Sequence, residues 1–180
     1  TLYSSKLSNL RKSRTVPFIL DTTGKKDSLQ KVMPLSKEAT DSTDRFFEAY
    51  YHVRIFSDSL QSVCDSLFYS AEDSVFRLFK QPIVWARENQ ITGDTIYLYT
   101  KNKKPERLFV FENALTIGHV GKDYYNQVKG RTINGYFKDG NIDNMRAKGN
   151  AESIYYAQDD ANKFIGVNKA IESFKLKEEL

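Results

Sequence analysis

Gly93-Asp94-Thr95-Ile96 returns 37 residues later as Gly130-Arg131-Thr132-Ile133, and this recurrence organises the chain. Glu112-Asn113-Ala114-Leu115-Thr116-Ile117 returns at the same offset as Gly149-Asn150-Ala151-Glu152-Ser153-Ile154. Two separate motifs sharing one offset mark an internal repeat. Weaker copies lie upstream. Gln81-Pro82-Ile83-Val84-Trp85-Ala86 takes the place of Asn113-Ala114, and Ala49-Tyr50-Tyr51-His52-Val53-Arg54-Ile55 takes the place before that. Asp65-Ser66-Leu67-Phe68-Tyr69 precedes them as Asp94-Thr95-Ile96-Tyr97-Leu98-Tyr99 does later. Four units of about 30–37 residues result, a period typical of solenoids, propellers and arrays.

The texture of each unit selects among these. Short runs of Ile, Val, Tyr, Phe and Thr alternate with Gly, Asn and Asp, as in Arg107-Leu108-Phe109-Val110-Phe111. Such residues fit a pleated, half-buried surface, and period-two alternation between turn signals is the strand signature. No helical stripe is sustained across residues 46–165, so helical repeats are excluded, and propeller signatures are missing. The expectation is all-β: a solenoid-like stack of short antiparallel strands in rungs, each burying its apolar face on the next and leaving edges at both ends.

Outside the repeat the chain changes character. Its 180 residues suit one domain with an arm. Aromatics make up 13%, too many for a disordered chain. The longest apolar runs are too short for a membrane-spanning helix. Residues 1–45 carry nine basic and five acidic side chains, while 46–180 balance at eighteen each, so the net +4 belongs to the arm. A nucleic-acid domain carries its excess on the folded face, so nucleic acid is not an expected partner. The division is a basic, mostly irregular arm over 1–45 and a repeat domain over 46–180. Within the arm, Val16-Pro17-Phe18-Ile19-Leu20 reads as a short strand and residues 37–44 as a linker. The tail from Ala170 to Leu180 fits a strand or a frayed helix. The chain opens on Thr1 without a signal peptide, which neither reads nor excludes export.

The usual chemical constellations are missing. His52 and His119 are far apart and lie in no HExxH-type motif. Gly118-His119-Val120-Gly121-Lys122-Asp123 lacks the spacing and the Ser/Thr of a phosphate loop and reads as a turn. Asp58, Asp65, Asp73 and Asp94 recur singly near strand starts, where Asp does turn chemistry. Cys64, the sole cysteine, excludes an internal disulfide and reads as a small buried hydrophobe. Tyr124-Tyr125 and Tyr155-Tyr156 are each expected to put one ring inward and one outward. No cofactor, metal or catalytic residue is expected.

The stretch Asn89-Gln90-Ile91-Thr92-Gly93-Asp94-Thr95-Ile96, with Tyr125-Asn126-Gln127-Val128-Lys129-Gly130-Arg131, Gly135-Tyr136-Phe137 and Gly149 to Tyr156, resembles the OstA-like (organic-solvent-tolerance-A-like) proteins of Bacteroidetes. That group is related to the periplasmic bridge proteins of lipopolysaccharide transport. The resemblance covers roughly residues 46–168. It implies a repeat-built, folded-over β-jellyroll whose two sheets enclose an apolar groove. It also implies periplasmic location, carriage of lipopolysaccharide acyl chains, and end-to-end stacking with related jellyroll domains through exposed strand edges. Membrane contact would come only through partners.

Strand alternation then nominates the groove. Ile55, Leu67, Ile83, Trp85, Ile96, Leu98, Leu108, Val110, Leu115, Ile117, Ile133 and Ile154 are the side chains expected inside. An acyl chain there gains about 0.8 kcal/mol per buried methylene. An ordinary dry core would use the same residues. The function expected is therefore a non-enzymatic lipid-binding module. A structural or adhesive cell-surface β-solenoid is the alternative, and a polysaccharide-active β-helix enzyme the third reading.

Overall fold

The structure is a computed structural model and describes residues 2–6, 45–57, 60–121 and 123–172. Twelve antiparallel strands and no helix occur among them: β1 (Leu2–Lys6), β2 (Arg45–Phe56), β3 (Gln61–Ser70), β4 (Val75–Phe79), β5 (Ile83–Ala86), β6 (Asn89–Thr92), β7 (Thr95–Lys101), β8 (Lys104–Val120), β9 (Tyr124–Lys138), β10 (Asn141–Lys148), β11 (Glu152–Gln158) and β12 (Phe164–Ile171). The expected strand at 16–20 and linker at 37–44 lie outside the described residues, as does the tail from 173 onward. Leu2–Lys6, inside the stretch expected to be mostly irregular, is a strand paired with Arg45–Ala49. All five of its residues are exposed, so the ladder with β2 and not burial holds it, and no apolar pattern announces it.

One sheet closes on itself. β3 pairs β4 through Ser66–Ser70 and β5 through 61–63 on the same edge. β8 pairs β7 through its first half and β6 through 115–118. With β4 on β7 and β5 on β6, the six strands β3, β4, β7, β8, β6 and β5 form a ring. Closure leaves no ladder unpaired within the ring, which is how antiparallel sheets avoid exposed edges. β2 and β9 flank it. β9 repeats the division: it pairs β10 through 132–138 and β11 through 127–129.

Each division occurs where the backbone bends. Consecutive residues with positive φ occur at Tyr51-His52, Lys80-Gln81, Glu112-Asn113 and Gly149-Asn150. The first and third interrupt β2 and β8 as two-residue bulges. The second and fourth sit between β4 and β5 and between β10 and β11. These are the positions that the four sequence units align.

The last two units share more than sequence. The Asp94 N–H donates to the Glu112 carbonyl at 3.1 Å, and 37 residues on the Arg131 N–H donates to the Gly149 carbonyl at 2.8 Å. A Cβ built on Gly93 would meet Val110, and one on Gly130 would meet Ala147, again 37 apart. The tight turns Asn102-Lys103 and Asp139-Gly140 keep the offset too, each with two positive φ values. Paired positive φ in a two-residue hairpin loop is the type I′ geometry that matches strand twist.

Polar side chains bridge the bends. Asn113 Nδ2 donates to both Asp94 carboxylate oxygens at 3.1 and 3.0 Å, and Arg131 Nε to both Glu112 oxygens at 3.0 and 3.2 Å. Lys80 Nζ pairs with Asp65 at 2.9 Å, and that hydrogen bond raises the Lys80 pKa.

Candidate functional site

Directly opposed residues on neighbouring strands share a face, so the register defines what lines the interior. One row runs Ala49, Leu67, Leu78, Ile96, Val110, Ile133, Ala147 across seven strands. A second runs Phe47, Tyr69, Phe76, Leu98, Leu108, Gly135, Met145. In the other half, Ile55, Ser62, Val84, Ile91, Thr116, Val128, Ser153 and Ala170 form a third. Leu67, Leu78, Val84, Ile91, Ile96, Leu98, Leu108, Val110 and Ile133 belong to one buried cluster, with Ile55, Val128, Ile142, Met145 and Ala147 packed against it.

The twelve side chains expected inside therefore divide. Leu67, Ile96, Leu98, Leu108, Val110 and Ile133 are buried together, and Ile55 packs against them. Ile83, Trp85, Leu115, Ile117 and Ile154 are half-buried on the opposite face of the sheet. The reason is parity. The bends at Lys80-Gln81 and Glu112-Asn113 insert two residues, an even number, so the even positions that face inward before the bend face inward after it. Val84, Ala86, Ala114 and Thr116 are thereby the buried ones, and their larger neighbours point out. Hydrophobic bulk suggested the reverse.

This wall of the interior mixes small side chains with the larger Leu60 and Ile91. Ser62, Cys64, Val84, Ala86, Ala114 and Thr116 are all buried there. Burial and the neighbouring Asp65 carboxylate push the Cys64 thiol up to about 11. Ser62 Oγ and Thr116 Oγ1, at 1% and 2% exposure, have no hydrogen-bond partner among the described residues. Sequence reading missed both hydroxyls; Thr116 stands between Leu115 and Ile117, which drew attention first.

The opposite wall is aromatic on its outer side. Arg77 lies 5.5 Å from the ring centres of both Phe68 and Tyr97 and pairs with Asp73. Tyr97 meets Phe111, which meets Phe109, edge to face at 4.7 and 4.3 Å. Arg107 sits 5.2–5.8 Å from the rings of Tyr99, Phe109 and Tyr136 and donates twice to Asn134 Oδ1. Burial raises the Tyr97 pKa. Cation–ring stacking of this kind stiffens a sheet face by about 0.5–2 kcal/mol per contact.

Past β9 the interior loses its ring. β10 continues one half and β11–β12 the other, with no ladder joining β10 to β11. Exposure rises accordingly: Ile133 is fully buried, while Met145 is half-buried and Tyr155 is exposed. Tyr124, Tyr156 and Phe164 gather at this end, with ring centres 4.8–6.0 Å apart. The exposed rings of the two tyrosine pairs are Tyr125 and Tyr155. Ile165, Val167 and Ile171 on β12 are also exposed.

His52 and His119 remain apart on β2 and β8. Among the described residues no three His, Cys, Asp or Glu side chains gather as metal ligands do. Comparison with protein-family models, curated proteins and solved structures finds no match for the chain.

Proposed function

We propose that this protein is a non-enzymatic, periplasmic lipid-binding module of the OstA-like kind. In this reading acyl chains, those of lipopolysaccharide foremost, lie between the two halves of a folded-over β-jellyroll. The observation that supports it most is the division of β9. There an apolar interior, closed by ladders from β3 to β8, passes into a region walled on two sides only. At the open end the inner face carries Met145 and Ala147, which are only partly buried against the core. Buried methylenes supply the affinity, with no need for polar contact. Related jellyroll domains would continue the channel from the β10 and β12 edges, where main-chain groups can accept another strand, and membrane contact would run through those partners.

Fluorescence of cis-parinaric acid tests the reading. Purified protein should bind it, and lipopolysaccharide should displace it. Met145→Glu places a charge at the open end and should weaken binding at least about tenfold, since each buried methylene lost counts about 0.8 kcal/mol. Ile117→Glu, on the outer face, should leave binding intact. Well-folded protein that binds neither probe would overturn the reading. The exposed apolar edge of β12 would then favour a structural or adhesive β-solenoid.

A further inference from the structure

Several cations on this sheet meet a carboxylate on a neighbouring strand: Lys80 with Asp65, Lys129 with Glu152 and Arg131 with Glu112. The outward face of β8–β10 departs from that pattern. There Arg107 opposes Tyr136, Arg146 opposes Asn134 and Lys148 opposes Thr132. The outward positions of these rows on β8, β9 and β10 carry no acid. None of the three cations pairs with a carboxylate among the described residues. The acids nearest in the chain lie off the rows: Glu106 pairs with Lys101, Asp139 sits in the β9–β10 turn and Asp143 in the β10 bulge.

Arg107 is held in place before any ligand arrives. It lies over three rings, and its Nε and Nη2 donate to Asn134 Oδ1 at 2.9 and 2.6 Å. Little rotamer freedom is left to lose on binding, and the guanidinium has N–H groups to spare. Charged side chains on an edge strand guard it against pairing, and that accounts for Arg146 and Lys148 on β10. Arg107 stands two ladder steps further in, where no guard is needed. The three cations follow a diagonal, about 12 Å from Arg107 to Arg146 and about 7 Å from there to Lys148. A small anion cannot bridge them, whereas an extended polyanion can.

We infer that this face binds an acidic polysaccharide, a polyuronate whose ring carboxylates meet Arg107, Arg146 and Lys148. A guanidinium matches a carboxylate in shape as well as charge. Thr132, Asn134 and Tyr136, the last 43% exposed, stand on β9 between the cations and offer neutral hydrogen-bonding groups to sugar hydroxyls. Single-stranded nucleic acid fits less well, because its bases stack on free ring faces and Arg107 already lies over those of Tyr99, Phe109 and Tyr136.

Calorimetric titration of the full chain with polygalacturonate at low ionic strength tests this. The polymer has no acyl chain, so the outcome is independent of the lipid reading. It should bind, neutral dextran should not, and salt should weaken the binding as screening sets in at about 0.1–0.15 M. Arg146→Gln with Lys148→Gln, both at exposed positions, should cost about fivefold or more, the worth of two exposed charge pairs. Lys163→Gln with Lys169→Gln removes the same charge from another exposed part of the sheet and should cost less than about twofold. Arg107→Lys keeps the charge, loses the planar fork and should cost about threefold. No binding by folded protein, equal binding of dextran, or equal losses in the two double variants would overturn the inference. Tighter binding of single-stranded oligothymidylate than of polygalacturonate would overturn it in favour of nucleic acid.

Discussion

Gly93 stands where β6 gives way to β7, and the inner face of β8 leaves it no room for a side chain. A Cβ there would collide with Val110, itself fully buried, and would crowd the carbonyls of Phe111 and Glu112. Gly93→Ala should therefore cost about 1–3 kcal/mol, the range for overpacking a fixed core. Val110→Ala should offset part of that, so the double variant should be less destabilised than the sum of the singles in urea melts; strict additivity would contradict the contact. Cys64 provides a second test. Its pKa stands at about 11 against an ordinary 9.0 because burial disfavours the thiolate. Its contribution to stability is thus complete below pH 9 and is lost as pH rises towards 11. At pH 8 the folded protein should resist Ellman's reagent and react only as denaturant unfolds it; prompt stoichiometric labelling would contradict this. Single residues also show where sequence reading stopped. Leu98, Val110 and Ile133 were legible as interior because strand alternation held locally. Leu115 and Ile117 were misplaced because their bulk outweighed the alternation that runs inward from Leu108 and Val110 to the smaller Ala114 and Thr116.

The elements were easier to foresee than the turns that set them. Aromatic and β-branched runs mark β3, β7 and β8 plainly, and the repeated Gly-Asp/Arg-Thr-Ile motif falls at the β6–β7 junction and its counterpart within β9. The equivalence of Asn102-Lys103 with Asp139-Gly140 was not legible, since only the second carries a hairpin dipeptide. It also yields a prediction. Lys103 holds φ 63° with a side chain that disfavours it. Lys103→Gly should raise stability by about 0.5–1 kcal/mol, because glycine takes positive φ without the strain a side chain meets there, a gain larger than its added unfolded-state freedom; a loss of that size would mean the turn is not of this type. β1 was illegible for another reason. It buries nothing, and it exists because β2 offers it a ladder. Replacing Ser5, which pairs with Phe46 and turns its N–H towards β2, by Pro should remove one ladder hydrogen bond and expose the edge of β2. Amide exchange at Phe46 and Glu48, whose N–H groups face β1, should rise, while β7–β8 stays protected. Uniform protection would show that β1 does not hold that edge.

Taken whole, the molecule closes at the middle of its sheet and divides at one end. Closure explains the fully buried row from Leu78 to Ile133. Division explains why Met145 and Tyr155, which continue the inner faces of the two halves, grow progressively exposed. The all-β architecture was readable from texture and period. Ring closure was not, because it depends on β3 and β8 each holding two partners along one edge, a property of register and not of composition. The lipid reading makes the inner and outer faces of this sheet chemically different in use, although both carry large apolar side chains. Photo-crosslinking measures that difference directly: benzoylphenylalanine placed at Met145 or at Ile117, one on each face, in protein loaded with radiolabelled lipopolysaccharide. The account predicts that the lipid is captured from position 145 and not from 117. Capture from 117 alone, or from neither position in folded protein, would contradict it.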